Sequence, residues 1–143
     1  MTETAETIAT LYRESTAGDE PDRAFVVQLL GALADDELVL FTCGWPDNGE
    51  KWGPIAQLTI TSQRILDQRT IGEGVCAPIR EIVLADVLDA TERGRAAVPM
   101  FTTHALVVRL VQGGELVWEY LTNHQIGPAA EAIMAALETR GEA

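Results

Sequence analysis

This chain of 143 residues has two histidines, two cysteines and many carboxylates, but no catalytic constellation is recognisable among them. His104 and His124 are too few to build a metal site alone, and each stands at the boundary of a predicted strand. Cys76 has no adjacent basic residue or helix N-terminus that would lower the pKa of its thiol. Gly72 and Gly74 lack the further glycines, the lysine and the helix that a phosphate-binding loop requires. The sequence therefore predicts no enzyme, no metal site and no cofactor.

Aromatic and basic side chains are better candidates, because they could bind a partner without catalysing a reaction. Trp45 and Trp52 flank one polar turn, and two indoles on a loop can form a binding edge. The alternative is that they fold back to cover the core. Arg93 and Arg95, together with Arg80, form a local positive cluster that could receive a carboxylate or a phosphate. The alternative for this cluster is a solvated loop.

Composition and charge limit the kind of partner. With 47% hydrophobic residues, the chain suits one compact domain with one core. Its formal net charge of -12 repels nucleic acids, which are not expected as partners, and anionic membranes, which are disfavoured. No apolar run approaches the roughly 20 residues of a membrane span, and the first residues lack a basic region. We expect a cytoplasmic protein, with Cys43 and Cys76 as free thiols.

The clearest structural signal is an alternation of apolar and polar residues that is interrupted once. It predicts strands at residues 54–61 and 64–68, joined by a tight turn. In the first of these strands, Ala56, Leu58 and Ile60 point towards the presumed core. A hairpin is therefore expected in the middle of the chain.

A second hairpin is predicted within residues 104–121. Gly113 and Gly114 link two apolar-rich runs at the spacing of a two-residue turn. Alternation then places one set of apolar residues on a shared face of each strand. These sets are Leu106, Val108 and Leu110 on the first strand and Leu116, Trp118 and Tyr120 on the second.

Helices are predicted towards both ends of the chain. Residues 1–18 indicate a helix or flexible arm, and residues 19–143 the main domain. Asp19 can cap a second helix that has Pro21 in its first turn. A closing helix is expected from about Gly127, with an apolar stripe that must dock on another surface. The stripe consists of Ala130, Ile133, Met134 and Leu137.

Further strands are predicted between these helices, at residues 38–43 and 75–83. Residues 81–91 also satisfy helical spacing, and we expect strand, turn and strand there. Residues 91–99 are predicted to form an exposed loop. Strands grouped between terminal helices indicate an antiparallel sheet and an α+β fold.

Two segments and the closing helix resemble the bacterial pleckstrin-homology-like (PH-like) domains, including the GRAM-like group. The segments are LADDELVLF, a helix end with an acidic residue and a strand, and GPIAQLTITSQRIL, an alternating strand followed by threonine, a turn, arginine and two aliphatic residues. The resemblance covers residues 22–139. It implies a strongly bent antiparallel sheet or small barrel of about seven strands with a C-terminal capping helix. It also implies that the Thr61 hydroxyl bonds a turn amide and that the stem of Arg64 covers the sheet edge, with ligand binding by Arg64 as the alternative.

These features favour a noncatalytic binding or scaffolding module. We expect it to recognise a protein segment, by strand addition to residues 104–110, or to self-associate. One alternative is a small acidic secretion-type chaperone, which requires a helix over residues 81–93. Another is a lipid or phosphate-ligand binder, which requires four arginines to converge on one pocket. Those arginines are Arg64, Arg80, Arg93 and Arg95.

Overall fold

A computed structural model gives the structure of residues 3–16, 18–46, 55–72, 75–98, 101–118, 121 and 123–141, and describes the backbone alone for residues 45, 46, 71, 72, 94–98, 101–104, 123 and 124. The elements in these ranges, in chain order, are α1 (Glu3–Ser15), α2 (Arg23–Ala32), β1 (Val39–Pro46), β2 (Ile55–Thr61), β3 (Arg64–Gly72), β4 (Val75–Cys76), β5 (Arg80–Val83), a 3₁₀ turn (Leu84–Asp86), β6 (Val87–Val98), β7 (Phe101–Leu110), β8 (Glu115–Trp118) and α3 (Asn123–Gly141). No helix within the described ranges is long and apolar enough to cross a membrane.

The strands form two antiparallel sheets. In the first sheet, β1, β2 and β3 lie side by side, and both β4 and β5 pair with the far edge of β3. In the second sheet, β7 lies between β6 and β8. The predicted α+β fold, with helices towards both ends, is confirmed. The two sheets do not close into a barrel.

One hydrophobic core fills the space between the two sheets and α3. Leu58 and Ile60 enter it from β2, as predicted, and Leu106 enters it from β7. The helix begins at Asn123 rather than near residue 127. Met134, predicted in its stripe, is 37% exposed, because it stands at the margin of the buried face. That face consists of Ile126, Ala129, Ala130, Ile133 and Ala136.

Helices α1 and α2 cover the opposite face of the first sheet. Ile8 of α1 shares a small buried cluster with Leu29 of α2 and Leu66 of β3. Gln57 and Thr59 also lie on this face, and both are fully buried although their polarity is typical of a solvated surface. The N-terminal segment is thus a packed helix, while the division of the chain at residue 18 stays a prediction.

The start of α2 differs from the predicted one. Asp22 is the N-cap residue, and its carboxylate accepts a hydrogen bond of 2.9 Å from the backbone N–H of Ala24. The cap predicted at Asp19 is therefore wrong. Pro21 precedes the helix because the backbone at Asp22 is still extended, with ψ of 130°.

The segment that could have been strand or helix, residues 81–91, is strand, turn and strand, as predicted. The helix that the chaperone alternative requires over residues 81–93 is not formed there. The exposed loop predicted at residues 91–99 is wrong, because β6 continues to Val98 and pairs with β7, with one irregularity between Ala96 and Val98. The predicted free edge at residues 104–110 is also wrong, since β7 has a neighbour on each side.

The hairpin of β7 and β8 is formed as predicted, but its register differs from that of a two-residue turn, because Leu106 lies opposite Trp118. Its turn is longer than the predicted two residues. The N–H of Gly113 donates to the carbonyl of Leu110 over 3.0 Å, and the N–H of Leu110 donates to the carbonyl of Gly114 over 3.1 Å. Both glycines have positive φ, of 98° and 87°, which other residues rarely adopt.

Candidate binding site

Arg64, at the start of β3, contacts α2, β5 and the segment that connects α2 with β1. Its Nε lies 2.8 Å from Oε2 of Glu37, and its Nη2 lies 2.7 Å from Oε1 of the same carboxylate. Nη2 also donates to the carbonyl of Ala32 at the end of α2, over 2.6 Å. Nη1 lies 3.2 Å from Oε2 of Glu81 on β5. The guanidinium is therefore occupied by the protein itself.

Thr61 shapes the turn that precedes Arg64. Its hydroxyl oxygen accepts hydrogen bonds from the backbone N–H groups of Gln63, at 3.1 Å, and Arg64, at 3.0 Å. The hydroxyl donates in turn to Oε2 of Glu37 over 2.6 Å. The bond from Thr61 to a turn amide, which the resemblance implies, is thus confirmed.

Glu37 has a side chain that is 0% exposed. Burial alone would raise the pKa of its carboxyl, but hydrogen bonds from Arg64, Thr61 and the backbone N–H of Ala34 lower the pKa from 4.5 to about 2. The carboxylate is ionised at neutral pH and holds Arg64 in place. This arrangement supports a structural role for Arg64, whereas its role as a ligand-binding residue stays untested.

A cleft of about 230 Å³ opens where β5 diverges from the end of β7 and from β8. At one end of it, the N–H of Val111 donates to the backbone carbonyl of Asp86 over 2.9 Å. Neither Arg80 nor the carboxylate of Asp86 makes an ion pair with another described residue. The cleft is lined by three apolar residues, Ile82, Leu110 and Leu116, and by the polar residues Arg80, Glu81, Asp86 and Gln112.

The other predicted site residues lie away from this cleft or outside the described side chains. Arg93 stands in β6 and donates to both carboxylate oxygens of Glu115, over 3.1 and 3.0 Å. The side chains of Arg95, in β6, and Trp45, in β1, lie outside the described ones, and so does all of Trp52. Of the three described arginines, only Arg80 borders the cleft, and the structure does not bring Arg64 and Arg93 to it.

A second cavity, of about 260 Å³, lies between the end of α1 and the first sheet. Two of its three carboxylates have structural partners, because Glu20 pairs with Arg13 and Asp22 caps α2. Burial, aided by the negative charges of Asp19 and Asp22, raises the pKa of Tyr12 to about 12. The lining includes Tyr12, Asp19, Glu20, Asp22 and Phe25. Its acidic rim does not suit a phosphate.

The two cysteines are free. Burial raises the pKa of the Cys43 thiol, and burial together with the charge of Asp22 raises that of Cys76. A protonated thiol is a poor nucleophile. Among the described residues, no three histidines, cysteines or acids stand close enough to hold a metal. His104 and His124 lie in β7 and α3, and their side chains are not described.

Sequence reasoning missed most of the cleft and one buried polar cluster. Ile82, Leu110 and Leu116 meet only after the sheets have packed, so no local pattern marks them as a site. Asp67 is 3% exposed; its Oδ1 accepts a 2.8 Å bond from Arg69, and its Oδ2 a 3.2 Å bond from the indole N–H of Trp118. An acidic residue at a core-facing strand position was the available signal for that cluster.

The two antiparallel sheets, with α3 packed on the core between them, form an α+β fold that is similar to that of pleckstrin homology domains. The solved structures that the chain resembles include a pleckstrin homology domain from Shewanella amazonensis SB2B, with a TM-score of 0.53 and 14% identity over 79% of this chain and 85% of that one. A weaker likeness, with a TM-score of 0.47 and 13% identity over 87% of this chain and 85% of that one, is to the hSac2 domain from human phosphoinositide phosphatase Sac2. The sequence itself matches no family model and no curated protein. At these identities the comparison establishes the fold and nothing of the ligand.

Proposed function

We propose that this chain is a noncatalytic binding module that recognises a segment of another protein. The observation that carries the proposal is the cleft beside β5, with its apolar wall and two charged residues, Arg80 and Asp86, that form no ion pair with another described residue. An apolar surface with a few convergent polar groups is the usual composition of a binding site. The net charge of -12 supports a protein partner over nucleic acid or an anionic membrane.

A phosphate or lipid headgroup is the weaker candidate, since it requires several free cations on one surface. Arg64 and Arg93 both donate to carboxylates, and Arg80 is the one cation among the described residues that line the cleft. A single guanidinium beside Glu81 and Asp86 favours a ligand that carries both signs of charge. A peptide fits that description better than a phosphate.

The proposal is tested by selecting displayed random peptides of about twelve residues, long enough to span β5, against the folded chain. Enriched peptides are then synthesised, and their dissociation constants are measured by fluorescence anisotropy. Two charge-reversed variants are compared, R80E at the cleft and R140E at the exposed end of α3. Each variant lowers the net charge by two, so they match in their long-range effect on the peptide.

We expect at least one enriched peptide whose affinity falls about tenfold or more in R80E, because a charged hydrogen bond contributes about 1.5 to 3 kcal/mol. The same peptide should bind R140E within about twofold of the unmodified chain. Failure to enrich any peptide, or equal losses in the two variants, would overturn the proposal. Binding of soluble inositol phosphates with the same pattern of losses would favour the weaker candidate.

A further inference from the structure

We propose that the bound segment enters the cleft as an added β-strand, antiparallel to β5, with a basic residue at its N-terminal end, apolar residues in the middle and an acidic residue at its C-terminal end. This inference rests on the proposed function and names the geometry and chemistry of the partner. It replaces the edge predicted at residues 104–110, which lies inside the second sheet.

The backbone of β5 has hydrogen-bonding groups that its own sheet does not use. The N–H of Leu84 donates to the carbonyl of Gln63 over 3.0 Å, and the register continues with Ile82 opposite Ile65. Because hydrogen-bonded and non-hydrogen-bonded pairs alternate in an antiparallel ladder, Ile82 bonds β3, while the N–H and C=O groups of Glu81 and Val83 point the other way. Those groups face the free edge of β5.

Other sheet edges are less suited to receive a strand. On the free side of β6, the N–H of Ala90 donates to the sulfur of Met134 over 3.4 Å, so α3 occupies that edge. The register of β1 slips between Val39 and Phe41, and such a bulge interrupts pairing. Strand β8 contributes one residue, Leu116, to the cleft, whereas β5 contributes three consecutive residues. The cleft therefore runs along β5.

The direction and chemistry of the segment follow from the two ends of β5. Arg80 begins the strand and Asp86 lies just past its end, and neither has an ion-pair partner among the described residues. Antiparallel pairing is somewhat more stable than parallel pairing, so the segment should run from Asp86 towards Arg80. Its first residue then meets a carboxylate and its last meets a guanidinium. Side chains at alternate positions between them face Ile82, Leu110 and Leu116.

Val83 allows a clean test of main-chain pairing. Its φ of -71° and ψ of 142° are compatible with proline, whose φ lies near -65°. V83P removes one outward N–H without removing a bond to β3, whereas V83A keeps the N–H and shortens the side chain. The probe is the tightest peptide from the selection described above, together with versions methylated at each backbone nitrogen in turn and one of reversed sequence.

We expect V83P to weaken binding about tenfold and V83A about twofold or less, since one hydrogen bond contributes roughly 1 kcal/mol. Methylation should weaken binding at every second position of the peptide, and the reversed sequence should bind at least tenfold less tightly. Circular dichroism must show that V83P retains the fold; if it does not, the methylation scan alone decides.

Three results would overturn the inference in distinguishable ways. A peptide that depends on Arg80 but tolerates methylation at every position would leave the proposed function intact and exclude strand addition. A peptide that is insensitive to R80E would remove the proposed function as well. A free chain that forms a dimer in sedimentation velocity, with V83P alone monomeric, would show that the occupant of the edge is a second copy of this chain.

Discussion

Replacing Glu37 with glutamine tests whether the contact with Arg64 stabilises the fold as its geometry indicates. E37Q keeps the size and shape of the side chain and removes its charge. The guanidinium of Arg64, only 17% exposed, would then face a neutral amide in place of a carboxylate. Removing one partner of a buried ion pair costs far more than the pair itself contributes, so we expect a clear loss of stability at pH 7.

The magnitude follows from the pKa of Glu37. A pKa lowered from 4.5 to about 2 corresponds to about 3 kcal/mol of stabilisation in the ionised state. This is an upper figure, because Arg64 reaches solvent and is partly screened. The group's pKa is lower in the folded chain than in the unfolded one. Its contribution is therefore complete above pH 4.5 and is lost as the pH falls towards 2.

The measurement is urea unfolding of the unmodified chain and E37Q, at intervals from pH 7 to the acid limit of folding. The difference in free energy of unfolding should approach 3 kcal/mol at pH 7 and shrink steadily below pH 4.5. E138Q, at an exposed position of α3, is the control and should change stability by about 0.5 kcal/mol at most. A difference between the unmodified chain and E37Q that stays constant across this range would refute the reasoning.

Three further changes probe other contacts. G44A should destabilise the chain by about 1 to 3 kcal/mol, because a Cβ there would lie 2.9 Å from two ring carbons of Tyr12. Most of this loss should disappear in a Y12A background, and urea unfolding of the double mutant checks this. In native protein treated with a disulfide reagent, Cys76 should react first and Cys43 only on unfolding, since Cys43 is 0% exposed; mass spectrometry of the labelled protein checks the order. R93M should leave the midpoint of urea unfolding almost unchanged, because the ion pair of Arg93 with Glu115 is exposed to solvent and screened.

Local pattern and turn chemistry predicted much of the fold. The alternation of β2, the role of Thr61 and the order of strand, turn and strand at residues 81–91 all depend on neighbours within a few positions. The wrong predictions fall where contacts with distant parts of the chain determine the local structure. Residues 91–99 contain one glycine, three charged residues and one proline, which favour a loop, yet pairing along β7 extends β6 to Val98.

The helix-covered face of the first sheet shows a second limit of pattern reading. Thr42, Gln57 and Thr59 alternate with core residues as a solvated strand face would, but all three are fully buried. They satisfy one another in part, through a 2.9 Å bond between the two threonine hydroxyls and a 3.1 Å bond from Gln57 Nε2 to Thr42. An alternation of polar residues cannot show whether a strand face is exposed to water or is covered by helices with a buried polar layer, because the polar groups find hydrogen-bond partners in both cases.

The candidate site could not be predicted for a related reason, which also explains why Arg80 is the most informative of the arginines proposed as ligands. From the sequence, the six predicted ligand-binding residues, four arginines and two tryptophans, cannot be ranked, because all of them lie near predicted turns. The folded structure distinguishes them, because Arg64 forms an ion pair with Glu37 and Arg93 forms one with Glu115. In a chain with 22 acidic and 10 basic residues, a cation readily finds an internal partner. An arginine that lines a cleft and remains unpaired among the described residues is therefore available to a ligand, and Arg80 meets both conditions.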